Sequence, residues 1–376
     1  MTDLNLAASP AAATVLAGLL GSADSPPSCA VYHGVLTPTE FDARQNEIEA
    51  LTSGAAAHDL GWLRRVAVRG KDSFRWLSGM VTNMVKDLPS GGGAWNLVLN
   101  AQGRIQGDLT VWRQGDELEI EVTADQAEKL LAHLDHFIIM DDVELVPVEG
   151  ETAIGLSGPK AANVLGRLAL PVLPEAMTQA RADWNGKPVI LRRGYGALAE
   201  HYEIWVLSAQ AGELWQALGA AGARAVGSAA LEMLRIAEGI PAYGVDMVER
   251  DLPQETSQLR ALHFNKGCYL GQEIVERIRS RGNVHRHLRS LELEGPLPEP
   301  GTKLLLDGAE AGQITSAAEL PLAAGARRFA IGMIRGEAEA RNLALDYSTA
   351  EAGGRARILA GQPALTPDTI HPGVER

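Results

Sequence analysis

The residues best suited to chemistry lie between positions 264 and 277, in the run FNKGCYLGQEIVER. Cys268 supplies a thiol, Lys266 a cation two residues before it, and Tyr269 an aromatic hydroxyl beside it. A nearby cation favours thiolate, the form that attacks electrophiles and binds metals. Gly267 and Gly271 frame the thiol and suit a backbone that turns sharply or lets another group approach closely. From Gln272 onward QEIVERIRS suits a helix or an edge strand. A second candidate is Asp108, at the end of the loop NAQGRIQGD (100–108), where Gly107 removes bulk beside a carboxylate entering the apolar run LTVW. Arg277, Arg279, Arg281, Arg286 and Arg289, with His285 and His287 among them, form either a solvated basic face or an anion site. The histidines lack partners at metal-ligand spacing, so no metal site is expected. Ser90-Gly91-Gly92-Gly93 lacks the Gly-Lys-Ser/Thr of a phosphate loop.

Lys266-Gly267-Cys268-Tyr269-Leu270-Gly271-Gln272-Glu273 resembles the K-G-C-Y-x-G-Q-E signature of the YgfZ family. These are folate-binding proteins related to the T-protein (aminomethyltransferase) of the glycine cleavage system. Upstream, Arg235-Ile236-Ala237-Glu238-Gly239-Ile240-Pro241, Asp246 and Pro253-Gln254-Glu255 resemble the same family in the same order. The resemblance implies an α+β, T-protein-like multi-domain fold over 31–286, with a small C-terminal β-barrel over 287–365. It implies tetrahydrofolate, or a one-carbon derivative, as cofactor. The function it implies is that of an accessory protein for assembly or repair of iron–sulfur enzymes, with Cys268 as the functional thiol facing the pterin end of the folate. The alternative is an aminomethyltransferase passing a one-carbon unit to tetrahydrofolate.

The same resemblance assigns roles. Asp108 falls on the second acid of the T-protein's Asp-Asp pair, used beside the folate's reactive nitrogens, while Gly107 replaces the first. Residues 194–204 resemble the T-protein pattern ending in a glutamate, which falls on Glu203, although ALAEHY departs from its centre. A carboxylate accepting two N–H bonds matches a pterin's 2-amino and N3–H edge. Cys268 and Asp108 are thus the candidate catalytic residues, and Glu203, Arg235, Lys266, Tyr269 and Gln272 the candidate folate contacts. Leu231 stands where the family has an arginine. The expected partners are folate and iron–sulfur clients.

Composition narrows the rest. With 376 residues, the chain exceeds one core, and two or three domains are expected. A net charge of −13 argues against nucleic acid as a partner and would repel an anionic ligand unless basic residues gather locally. Two cysteines, Cys29 and Cys268, fit a reducing compartment and are too few to hold an iron–sulfur cluster. No apolar run reaches membrane-spanning length. The stretch 11–21 lacks the basic residues that open a signal peptide, so a cytoplasmic protein is expected.

These candidates need positioning elements. Residues 1–30, rich in Ala, Ser and Pro, read as a disordered tail. A strand is expected over 31–36, then a helix opening at Thr37-Pro38-Thr39-Glu40 and running to 51. A strand at 63–68 precedes a helical pattern over 73–85 that Gly79 and Thr82-Asn83 interrupt. Residues 95–112 read as a hairpin turning at Ala101-Gln102-Gly103, followed by a strand at 117–122. Thr123 to Gln126 form a capping box for a helix to 136, with Leu130, Leu131 and Leu134 inward. Further strands are expected at 142–148, 188–192 and 202–207, and helices at 158–168, 212–218 and 228–238. Past 287, short strands between Gly and Pro turns read as the barrel. The run GPLPEPG (295–301) is either a boundary or a loop within it.

Overall fold

The computed structural model describes residues 12–21, 26–282, 284–361, 363 and 365. Two open sheets and a closed barrel make up the molecule. In the first sheet the strands lie in the order Gly93–Leu99, Ile105–Gln114, Glu117–Thr123, Leu63–Arg69, Glu144–Pro147. In the second the order is Thr178–Trp184, Lys187–Arg193, His201–Leu207, Glu151–Ser157, Ala56–Asp59, Arg224–Val226. The barrel closes from Arg286–Glu294 through Gly325–Arg335, Ala309–Leu322, Lys303–Leu306 and Leu345–Ser348 to Gly353–Ile358. The run at 295–301 lies between two of its strands and is a loop inside the barrel.

Several local expectations are corrected. Thr37 to Glu40 do not open a helix: Val35–Glu40 is a strand paired with Ser28–Tyr32, and the helix runs over Arg44–Ser53. The chain turns at His33-Gly34, both at positive φ, the geometry of a tight two-residue hairpin, which outweighs the Pro signal that suggested a helix start. The expected disordered tail falls partly outside the described residues (1–11 and 22–25); within them, Val15–Leu20 is a helix with Leu16 and Ala17 buried. The strands Ala56–Asp59, Glu151–Ser157 and Thr178–Trp184 were not expected. The first two are buried on both faces and show no alternation to read. The ambiguous run after Gly271 is a helix, Gln272–Arg281.

One core cluster ties body to barrel. Ile48, Leu51, Leu97, Leu234 and Ile236 pack with Leu320, Phe329 and Ile331 of the barrel. Helix Ser228–Ala237 supplies the apolar face at this junction, with Ala230, Leu234, Ile236 and Ala237 buried. Its other face borders the cavity described next. Among the described residues no helix is long and apolar enough to cross a membrane.

Candidate functional site

Both sheets, helix Ser228–Ala237 and the hairpin at 32–35 enclose a cavity of about 260 Å³. Asp108 reaches it from strand Ile105–Gln114, and Glu203 from strand His201–Leu207 of the other sheet. Tyr32, His33, Trp62, Tyr195 and Tyr243 add aromatic and imidazole walls. A larger cleft of about 750 Å³ opens elsewhere between the sheets, but Arg65 and Arg181 in its wall already pair with Glu119, Glu151 and Glu117. The smaller cavity is the one that brings Asp108 and Glu203 together.

Asp108 is gripped from two sides. Trp95 Nε1 donates to Oδ2 at 2.8 Å, and Gln126 Nε2 donates to Oδ1 at 3.0 Å. Gln126 Oε1 also accepts from the Asp108 backbone N–H at 3.1 Å. Burial raises the carboxyl above its usual range, against these two bonds, which favour the ionised form. The sequence pattern gave Gln126 to a capping box. Its amide does reach Thr123 Oγ1 at 2.9 Å, but Thr123 makes no side-chain cap, and the amide's other contacts are with Asp108. Trp95 and Gln126 are functional candidates that sequence reasoning missed; Gly107, which leaves the space Gln126 Oε1 occupies 2.9 Å from a built Cβ, was the available signal.

Glu203 sits lower, over a buried ionic floor. Trp205 Nε1 donates to its Oε2 at 3.0 Å. Burial, and then the adjoining Glu121, holds its carboxyl well above the usual range, favouring the protonated form. Arg192, fully buried, donates to Glu121 at 2.6 Å and pairs with Glu119, its guanidinium 4.9 Å from the Trp112 ring centre. Beside Glu203 the sheet carries three more groups absent from the expected set. Ser157 Oγ lies 2.9 Å from His58 Nε2 and 2.9 Å from His201 Nδ1. Burial lowers both imidazoles, His201 to about 4, so both are neutral. Gly155, between Glu203 and His58 in register, makes room: a Cβ there would lie 1.9 Å from His58 Cε1.

Glu238 closes the wall. It accepts the N–H groups of Leu198 (2.8 Å) and Ala199 (3.2 Å), pinning the loop that carries Tyr195. Burial pushes its carboxyl up to about 7, against those two bonds. The folded state thus holds this proton more tightly than the unfolded chain, whose carboxyl titrates near 4.5. Stability from this group is full below about 4.5 and is lost as pH rises through about 7. Thermal melting should therefore fall between pH 5 and 8 in the wild type, and Glu238→Gln should flatten that slope. A slope unchanged in the variant would contradict the assignment.

Of the residues expected from sequence, Asp108, Glu203 and Arg235 line this cavity, while Cys268, Lys266, Tyr269 and Gln272 do not. Arg235 has no donor to spare for a ligand. Its five N–H groups serve Glu232 twice (2.9 and 2.5 Å), Ile240 O (2.6 Å), Asp246 (2.7 Å) and Ser316 Oγ (3.3 Å), locking helix, turn and barrel together. Lys266 is turned inward rather than set to tune the thiol. Its Nζ donates to Val81 O and Asn83 O, both at 2.6 Å, and burial pushes it down to about 7. Gln272 Oε1 accepts from the Tyr269 N–H at 3.3 Å, a bond within the loop. Cys268 is exposed on that loop, which packs against the hairpin turn at 100–103. The expectation that its sulfur faces the cavity is corrected.

The arginine cluster is also dispersed. Arg286 pairs with Asp251 and Glu255, and Arg289 and His287 with Glu339. Arg279 pairs with Glu276, and Arg277 is exposed; the Arg281 side chain lies outside the described residues. No group of three His, Cys, Asp or Glu among the described residues is placed to hold a metal.

Comparison with known proteins fits this architecture. The sequence profile of the GCVT N-terminal domain matches residues 28–266. A putative chloroplastic transferase of Arabidopsis thaliana is 28% identical over 73% of this chain, a match spanning 65% of that relative, just under two thirds of its length. Aminomethyltransferases of Geobacillus kaustophilus and Rubrobacter xylanophilus are each 29% identical over 77% of the chain, covering 82% and 79% of those proteins. The crystal structure of glycine cleavage system aminomethyltransferase T from Bartonella henselae superposes with a TM-score of 0.82, over 93% of this chain and 96% of that one, at 19% identity. The fold is T-protein-like, with mixed helix and sheet and a closed six-stranded C-terminal barrel.

Proposed function

The chain belongs to the family of the GCVT N-terminal domain, and from that premise we propose that it binds a reduced folate in the Asp108–Glu203 cavity. One observation carries the reading: two carboxyl groups from different sheets meet in one enclosed space, each held by a tryptophan N–H. The space suits a donor-rich bicyclic head. Its 2-amino and N3–H groups would meet Glu203, and its reducible ring the side near Asp108. Two N–H donors favour the ionised form of Glu203, whereas burial favours the protonated one, so binding would release a proton. Affinity should then rise with pH.

We place the chain as a folate-dependent accessory protein for assembly or repair of iron–sulfur enzymes. Support comes from the run KGCYLGQE and from the exposure of Cys268. A thiol on an outer loop suits exchange with a partner protein rather than attack on the bound folate. Cys268→Ala should leave folding and tetrahydrofolate affinity unchanged while abolishing support of iron–sulfur enzyme activity in a deletion strain. Full complementation by that variant would refute a role for the thiol.

A second reading, aminomethyl transfer, is favoured by Asp108, whose carboxyl is oriented and raised where a one-carbon unit would sit. It requires turnover of an aminomethylated lipoyl carrier into methylenetetrahydrofolate that depends on Asp108 and is indifferent to Cys268. Absence of that turnover in the wild type would remove it.

A further inference from the structure

We propose that Arg260 recognises an anionic tail on the ligand whose head fills the Asp108–Glu203 cavity, the tail leaving past Trp95 and Tyr195. The proposal rests on the folate reading and assigns the part of the ligand that the first cavity leaves unplaced. At about 260 Å³ that cavity lies at the lower end of small-molecule sites and holds a bicyclic head without its extension. A second cavity of about 340 Å³ adjoins it. Tyr195 lines both, and Trp95, whose indole N–H is bonded to Asp108 in the first, lines the second. Tyr195 is thus a wall common to both spaces, with Trp95 beside it on the second.

Arg260 stands beside both rings. Its guanidinium carbon lies 3.8 Å from the Tyr195 ring centre and 4.4 Å from that of Trp95. Nε lies 3.3 Å from Gln258 Oε1; among the described residues neither terminal nitrogen has a hydrogen bond and no carboxylate pairs with the group. Asp87 lines the same cavity without pairing with it. Burial lowers the arginine's pKa, outweighing Tyr195, Glu238 and Asp108, which act on it from a distance without a hydrogen bond. Arg235, Arg286 and Arg289 are already engaged by carboxylates. In a chain of net charge −13, an anionic tail needs such a local cation. A planar fork with two free terminal nitrogens matches a carboxylate, the group that ends a glutamyl tail.

The test is calorimetric titration of wild type, Arg260→Gln and Arg260→Lys with tetrahydrofolate, its triglutamate form and 6-methyltetrahydropterin, which has the head but no tail. Arg260→Gln should bind tetrahydrofolate and the triglutamate about 10- to 100-fold more weakly, the scale of a lost charge-assisted contact. It should bind 6-methyltetrahydropterin as the wild type does, and melt at the same temperature. Arg260→Lys should recover part of the loss. If Arg260→Gln binds tetrahydrofolate unchanged, or weakens head and whole ligand equally, the tail assignment falls while the folate reading stands. If the wild type binds none of the three, the folate reading falls and takes this proposal with it.

Discussion

Replacing Arg192 by Ala should destabilise the fold by about 3–5 kcal/mol, the cost of leaving buried carboxylates without their cation. The side chain is fully buried in strand Lys187–Arg193 and reaches across to Glu119 and Glu121 on strand Glu117–Thr123 of the other sheet. Gln179 accepts from its Nε at 3.1 Å, and Trp112 and Trp205 lie 4.9 and 5.7 Å from its guanidinium carbon. Burial would raise Glu119, but Arg65 and Arg192 together hold it below the usual carboxylate range. Without Arg192, Glu121 and Glu203 would face each other over an apolar floor. Chemical denaturation reads the effect directly. A loss under about 1 kcal/mol would show that the network is solvated and worth no more than a surface pair.

This network explains which parts of the fold could be read in advance. Strands with one wet face, such as Ile105–Gln114, alternate between buried and half-exposed residues and announce themselves. Ala56–Asp59 is buried along its whole length and carries His58 and Asp59, which resemble loop residues until their partners are known. The pairing of Arg192 and Arg65 is hidden for the same reason: their counter-ions lie on strands of distant sequence. The barrel was legible because Gly- and Pro-containing turns separate its strands, although Ala309–Leu322 and Gly325–Arg335 run longer than short strands would.

The site was half legible. Asp108 and Glu203 stand in motifs with local signals, a glycine before one and an apolar strand after the other. Arg235, expected to contact folate, spends its donors on Glu232, Ile240, Asp246 and Ser316, a count that sequence does not reveal. Lys266 and Cys268, adjacent in a motif, point to different places: the amine into the protein and the thiol out of it. Spacing of two along a glycine-framed loop fixes neither direction. Trp95 and Arg260 carry no motif, and Gln126 stands in a capping pattern that hides its contact with Asp108; only the folded arrangement reveals them.

One ligand is expected to bridge the two carboxyl groups. A buried carboxylate accepting two N–H bonds is worth roughly 1.5–3 kcal/mol per bond, so Glu203→Ala should weaken tetrahydrofolate binding at least about 100-fold. Asp108→Ala, losing a group beside the ring rather than one bonded to its edge, should cost about tenfold. Neither variant removes a side chain on which a fold-wide ionic network depends, so melting temperatures near that of the wild type are expected. Calorimetric titration of tetrahydrofolate into the three proteins, across pH 6 to 8, decides the matter. That order of affinities is expected, with proton release on binding that disappears in Glu203→Ala; equal affinity in all three proteins would rule out a ligand held between the two carboxyl groups.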